Sequence, residues 1–77
     1  MTKPWRGLGS GVYELTHDNR GNAFRVVYAV RFPRAVHVLH AFQKKSVSGI
    51  STPRPDVALI DRRLRTVIAR YGPGRSD

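Results

Sequence analysis

The stretch Ala23 to Arg31, AFRVVYAVR, leaves this chain the least freedom. Phe24, Val26, Tyr28 and Val30 alternate with Ala23, Arg25, Val27, Ala29 and Arg31. Side chains on a strand point to opposite faces in turn, so a period of two rich in β-branched and aromatic residues specifies a strand. The bulkier set predicts the core face; the other is mixed, apolar at its centre with an arginine at each end. Before it, Gly11 to Thr16 alternates more weakly. The polar run His17-Asp18-Asn19-Arg20-Gly21-Asn22 between them predicts a hairpin whose loop exceeds the tight two-residue type. After it, Phe32-Pro33-Arg34 turns the chain into Ala35 to Phe42, a third strand rich in Val and Leu. Short connections of this kind imply an antiparallel meander.

Residues 1–10, with Pro4, Gly7, Gly9 and Ser10, read as an irregular entry in which Trp5 packs on the domain. Gln43 to Ser51 has no period and reads as a loop. Thr52-Pro53 then opens a helix, with Thr as N-cap, Pro in the first turn and Asp56 near the positive end of the dipole. Val57, Ile60, Leu64, Val67, Ile68 and Tyr71 form its apolar stripe, and Gly72-Pro73-Gly74 stops it. Residues 72–77 are expected to be a flexible tail. The expected fold is α+β: a single domain, 1–77, with a small antiparallel sheet of three or four strands and a C-terminal helix packed on one face.

A chain of 77 residues has a thin core. It has no cysteine, which excludes disulfides and thiolate metal sites, and no run approaches the length of a membrane span. It reads as soluble and cytoplasmic, with no membrane partner. Lys+Arg number 14 against 5 Asp+Glu, giving +9, and arginine, the side chain best shaped to grip phosphate, supplies most of that charge. Polyanions are the natural partners, nucleic acid first among them, with a plain solvated basic surface as the competing explanation.

The motifs exclude more than they establish. His37 and His40 are three apart, which on a regular strand puts them on opposite faces and argues against a shared metal ion. No glycine-rich phosphate loop is present, Glu14 and Asp18 are too isolated to form a carboxylate pair, and no cofactor is expected. The positive cluster remains. Antiparallel pairing of the second and third strands sets Arg25 beside Gln43, Lys44 and Lys45, with His40 nearby. Such a group suits a phosphodiester and the charge that builds on it during cleavage; His40 is a candidate proton shuttle. Packed histidines and solvated edge lysines are the ordinary alternatives, and by these residues alone binding is better supported than catalysis.

Three segments together resemble the phage-derived Gp49-like (HigB-like) toxins of the RelE/ParE superfamily: Phe24-Arg25-Val26-Val27-Tyr28, His40-Ala41-Phe42-Gln43-Lys44-Lys45-Ser46, and Thr52-Pro53 before a basic helix. Gly7-Leu8-Gly9-Ser10-Gly11-Val12-Tyr13-Glu14-Leu15 fits as well. The resemblance implies a ribosome-dependent, metal-independent mRNA endoribonuclease, neutralised by a helix-turn-helix (HigA-like) antitoxin. It carries Arg25, Lys44 and Lys45 over to the scissile phosphate; His40 and Gln43 match its pattern without an assigned role, and His40 is expected to do acid/base work from its place beside the cluster. Arg6, Gln43, Arg62 and Arg65 are expected to hold RNA. Relatives usually begin with a helical hairpin before the Gly-Leu-Gly segment, and the resemblance implies that this chain starts too late to include it. Self-association through an exposed sheet or helix surface is expected to follow. His17 stands where many relatives carry another arginine. Two other readings are a non-catalytic module, binding RNA or only an antitoxin, and a ParE-like gyrase inhibitor.

Overall fold

The computed structural model describes residues 1–31, 35–45 and 52–72. Strands β1 (Thr2–Pro4), β2 (Val12–Asn19), β3 (Asn22–Ala29) and β4 (His37–Lys45) form one antiparallel sheet in sequence order, and helix α1 (Arg54–Tyr71) follows. The fold is α+β. The turn expected at Phe32-Pro33-Arg34, most of the loop after Lys45 and the tail beyond Gly72 lie outside the described residues.

The β2–β3 hairpin is tighter than expected. Asn19 pairs with Asn22, so only Arg20 and Gly21 form the loop. Both have positive φ, 51° and 81°, the pattern of a type I′ turn, whose twist matches that of the flanking strands. The ladder extends through the polar residues because its hydrogen bonds are made by backbone, whatever the side chains. The entry segment is also more regular than expected: Thr2, Lys3 and Pro4 pair with Leu15, Glu14 and Tyr13 as an edge strand, where a proline is tolerated. β4 likewise runs on to Lys45, three residues into the stretch expected to be a loop.

The core lies on the face opposite to the one expected. Val12, Val27, Ala29 and Leu39 from the sheet pack with Ile60 and Leu64 from α1, flanked by Trp5, Leu8, Phe42, Val67 and Ile68. Val27 and Ala29 are fully buried, whereas Phe24 is 43% exposed on the other face. Small residues let the helix approach the sheet closely, and Arg25 in that row has a carboxylate partner. The uncovered face carries Leu15, Phe24 and Val38, all exposed, and a Tyr13–Tyr28 stack with ring centroids 5.9 Å apart. Gly11 is required where it stands: its φ is 78°, and a Cβ there would collide with the Arg31 side chain.

Pro53, not Thr52, occupies the N-cap, without a side-chain cap bond; Pro55 and Asp56 fall in the first turn. Gly72 ends the helix as expected, its N–H donating to Ile68 O at 2.7 Å. Within the expected stripe Ile60 and Leu64 are buried, while Val57 and Tyr71 at its ends are exposed.

Because Arg20 occupies a left-handed position that asparagine tolerates better, Arg20→Asn should stabilise the fold by about 0.5–1 kcal/mol. The urea midpoint should rise with an unchanged slope.

Candidate functional site

The helix-covered face carries an unusual ion pair. Register sets Thr16 opposite Arg25 and Glu14 opposite Val27, so Glu14 and Arg25 are diagonal neighbours in adjacent strands. Arg25 Nη1 donates to Glu14 Oε1 at 2.8 Å. The Glu14 side chain is 3% exposed and that of Arg25 20%; Lys3 Nζ lies 3.7 Å from the same oxygen but is mostly in solvent. Arg25 Nε is buried and has no hydrogen-bond partner among the described residues. A buried, unpaired donor on a charged group is costly, and such groups call for a functional explanation.

The sequence expectation that Arg25 meets the end of the third strand agrees with the register. Arg25 is opposite Phe42, Phe24 opposite Gln43, Ala23 opposite Lys44 and Asn22 opposite Lys45. Gln43 is exposed; the side chains of Lys44 and Lys45 lie outside the described residues.

His40 is held on both sides. Its Nε2 is 2.8 Å from Asp56 Oδ1 in the first turn of α1, and its Nδ1 is 3.4 Å from Arg63 Nη1. Arginine only donates, so in neutral His40 Nδ1 accepts and the Nε2–H donates to Asp56. The same Arg63 nitrogen donates to Leu39 O at 2.8 Å. His40 also stacks on Phe42, ring centroids 4.8 Å apart.

The two histidines are not on opposite faces. A register shift between Val27 and Tyr28 pairs His40 with Val27 and His37 with Ala29, leaving Leu39 as the extra residue. His37 therefore meets Tyr71 on the helix side, ring centroids 5.2 Å apart. Among the described residues no three of His, Asp or Glu converge as a metal site.

The remaining expected residues do not join this cluster. Arg6 and Arg65 line a separate groove between the Trp5–Leu8 segment and α1, and Arg65 pairs with Asp61 at 3.0 Å. Arg62 is exposed on the helix. Sequence reasoning missed Glu14, Asp56 and Arg63. Glu14 was recoverable: a two-residue turn at Arg20-Gly21 would have given the register that puts it beside Arg25.

A family model described as phage-derived protein Gp49-like matches residues 1–65. No curated protein and no solved structure matches. No helix among the described residues is long and apolar enough to cross a membrane.

Removing the Glu14 carboxylate leaves Arg25 charged and largely desolvated. Glu14→Ala should therefore lower stability by about 2–3 kcal/mol, whereas Lys3→Ala should cost less than about 0.5 kcal/mol. Urea denaturation of each, with an Arg25→Met double-mutant cycle, measures the coupling.

Proposed function

Since the chain belongs to the Gp49-like family of phage-derived proteins, a RelE/HigB-like toxin family, we propose that it is the toxin of a toxin–antitoxin pair and cuts mRNA on the ribosome. The observation that supports this most directly is Arg25: a guanidinium oriented by a buried carboxylate, with a buried Nε–H that has no partner among the described residues.

The chemistry needs no metal ion. The ribose 2′-oxygen attacks the adjacent phosphorus, the bond from phosphorus to the 5′-oxygen of the next nucleotide breaks, and a 2′,3′-cyclic phosphate and a 5′-hydroxyl result. One group removes the 2′-proton and another supplies a proton to the leaving oxygen. Arg25, Lys44 and Lys45 bind the phosphate and stabilise the charge of the phosphorane. Asp56 orients His40 through Nε2 and leaves Nδ1, whose contact with Arg63 is the longer one, as the proton-exchanging nitrogen. Gln43, Arg62, Arg65 and Arg6 hold the flanking RNA. The antitoxin partner is a helix-turn-helix (HigA-like) protein.

A second reading, RNA binding without cleavage, is favoured by one feature: both ring nitrogens of His40 and the Nη1 of Arg25 already have partners within the chain. Induced expression with mapping of cleavage ends on translated mRNA separates the two. The toxin reading expects growth arrest and ribosome-dependent cuts from the wild type. Arg25→Ala, verified as folded by circular dichroism, should reduce cutting by at least 100-fold, roughly the range over which one oxyanion-type donor acts. Wild-type cutting by Arg25→Ala would remove its role. Salt-sensitive RNA binding with no cuts from well-folded wild type would establish the second reading.

A further inference from the structure

A groove of about 510 Å³ runs between the Trp5–Leu8 segment and the first three turns of α1. We propose that it binds a single nucleotide, with the base against Trp5 and the phosphate on Arg6 and Arg54. It rests on the RNA-directed reading for its biological role, but it is built from other residues: none belongs to the Glu14–Arg25 pair or to the His40 clasp.

The chemistry follows from the lining. Trp5 packs part of its surface on the core and lines the groove with another part, so the groove has an aromatic side chain on a fixed support. Val57 and Ala58 supply an apolar strip along the helix side. Every nucleobase has a π-face, and aromatic side chains beside arginines are the usual platform for single-stranded nucleic acid. The volume falls within the range of small-ligand sites.

The charge is uncompensated. Arg6, Arg54 and Arg65 line the groove against one carboxylate, Asp61, which Arg65 already engages. Neither Arg6 nor Arg54 has an ion-pair or hydrogen-bond partner among the described residues. Guanidinium groups at a groove whose one acid is already paired repel one another, and a phosphate placed between them relieves that repulsion while accepting their hydrogen bonds. Aromatic face, apolar strip and phosphate-binding edge together fit a nucleotide better than a bare anion.

Trp5 is the sole tryptophan and lines this groove, so its fluorescence reports on ligands that enter it. The full chain is titrated with adenosine and guanosine 5′-monophosphates, with ribose 5-phosphate and with inorganic phosphate. Saturable quenching by the nucleotides is expected, with binding at least tenfold weaker for the two base-free ligands. The Arg6→Ala/Arg54→Ala variant, exposed at both positions and checked by circular dichroism, should bind nucleotide at least tenfold more weakly. Arg25→Ala should bind it as the wild type does. Absence of quenching, or equal affinity for nucleotide and ribose 5-phosphate, overturns the proposal. Loss of the signal in Arg25→Ala would move the nucleotide to the other cluster and overturn it too, leaving the cleavage reading intact. Quenching as expected from a chain that cuts no mRNA would sustain the groove and reject the nuclease.

Discussion

The β-bulge in β4 decides what the helix meets. In an unbroken antiparallel register Leu39 would fall opposite Tyr28, on the uncovered face. The shift between Val27 and Tyr28 turns it inward instead, where it is 1% exposed, and brings His37 and His40 to the same side. A bulge also leaves a backbone group outside the regular ladder. Here Arg63 on α1 donates to the carbonyl of Leu39 itself. One irregularity thus fills the core, supplies an anchor for the helix and turns His37 to the face that His40 occupies.

That irregularity explains where sequence reasoning worked and where it stopped. The meander of β2, β3 and β4 and the helix were legible because period-two alternation, the run from Val57 to Ile68 and Gly72 are local signals, whereas the short edge strand β1 carries no such period. The pairing of Arg25 with the end of β4 followed from antiparallel topology alone. The choice of core face did not. Phe24, Val26, Tyr28 and Val30 are the more apolar row, yet packing a single helix favours Val27 and Ala29, which permit close approach. Of the two arginines that made the other row look mixed, Arg25 is matched by Glu14 and Arg31 donates to Leu8 O. Alternation cannot reveal a bulge, so the two histidines were assigned to opposite faces. The turn was misjudged for a simpler reason: the positive-φ position that asparagine or glycine usually takes is held by Arg20.

The acidic residues show how the site and the fold share their electrostatics. Glu14 neutralises Arg25 within the core-facing row, Asp56 ties His40 to the start of α1, and Asp61 pairs with Arg65 along the helix. The first two link separate strands or a strand and the helix, which gives them a structural role as well as a place near the proposed chemistry. A buried pair of this type is weak evidence for stability, because desolvating both charges offsets much of their attraction. Its clearer consequence is geometric. Glu14 fixes the guanidinium through one nitrogen and leaves its other donors for something else.

With those acids engaged, the excess of basic charge stays on the surface and at the groove, where it repels itself. For a chain of this size the core contributes little surplus, so such repulsion is a sizeable term. A bound polyanion removes it and, by binding the folded state alone, shifts the folding equilibrium toward the native form. Stability and affinity for a polyanion are then two expressions of one charge distribution. The self-repelling arginines, and an Arg25 Nε–H that has no partner among the described residues, are groups that a polyanion's phosphates would satisfy.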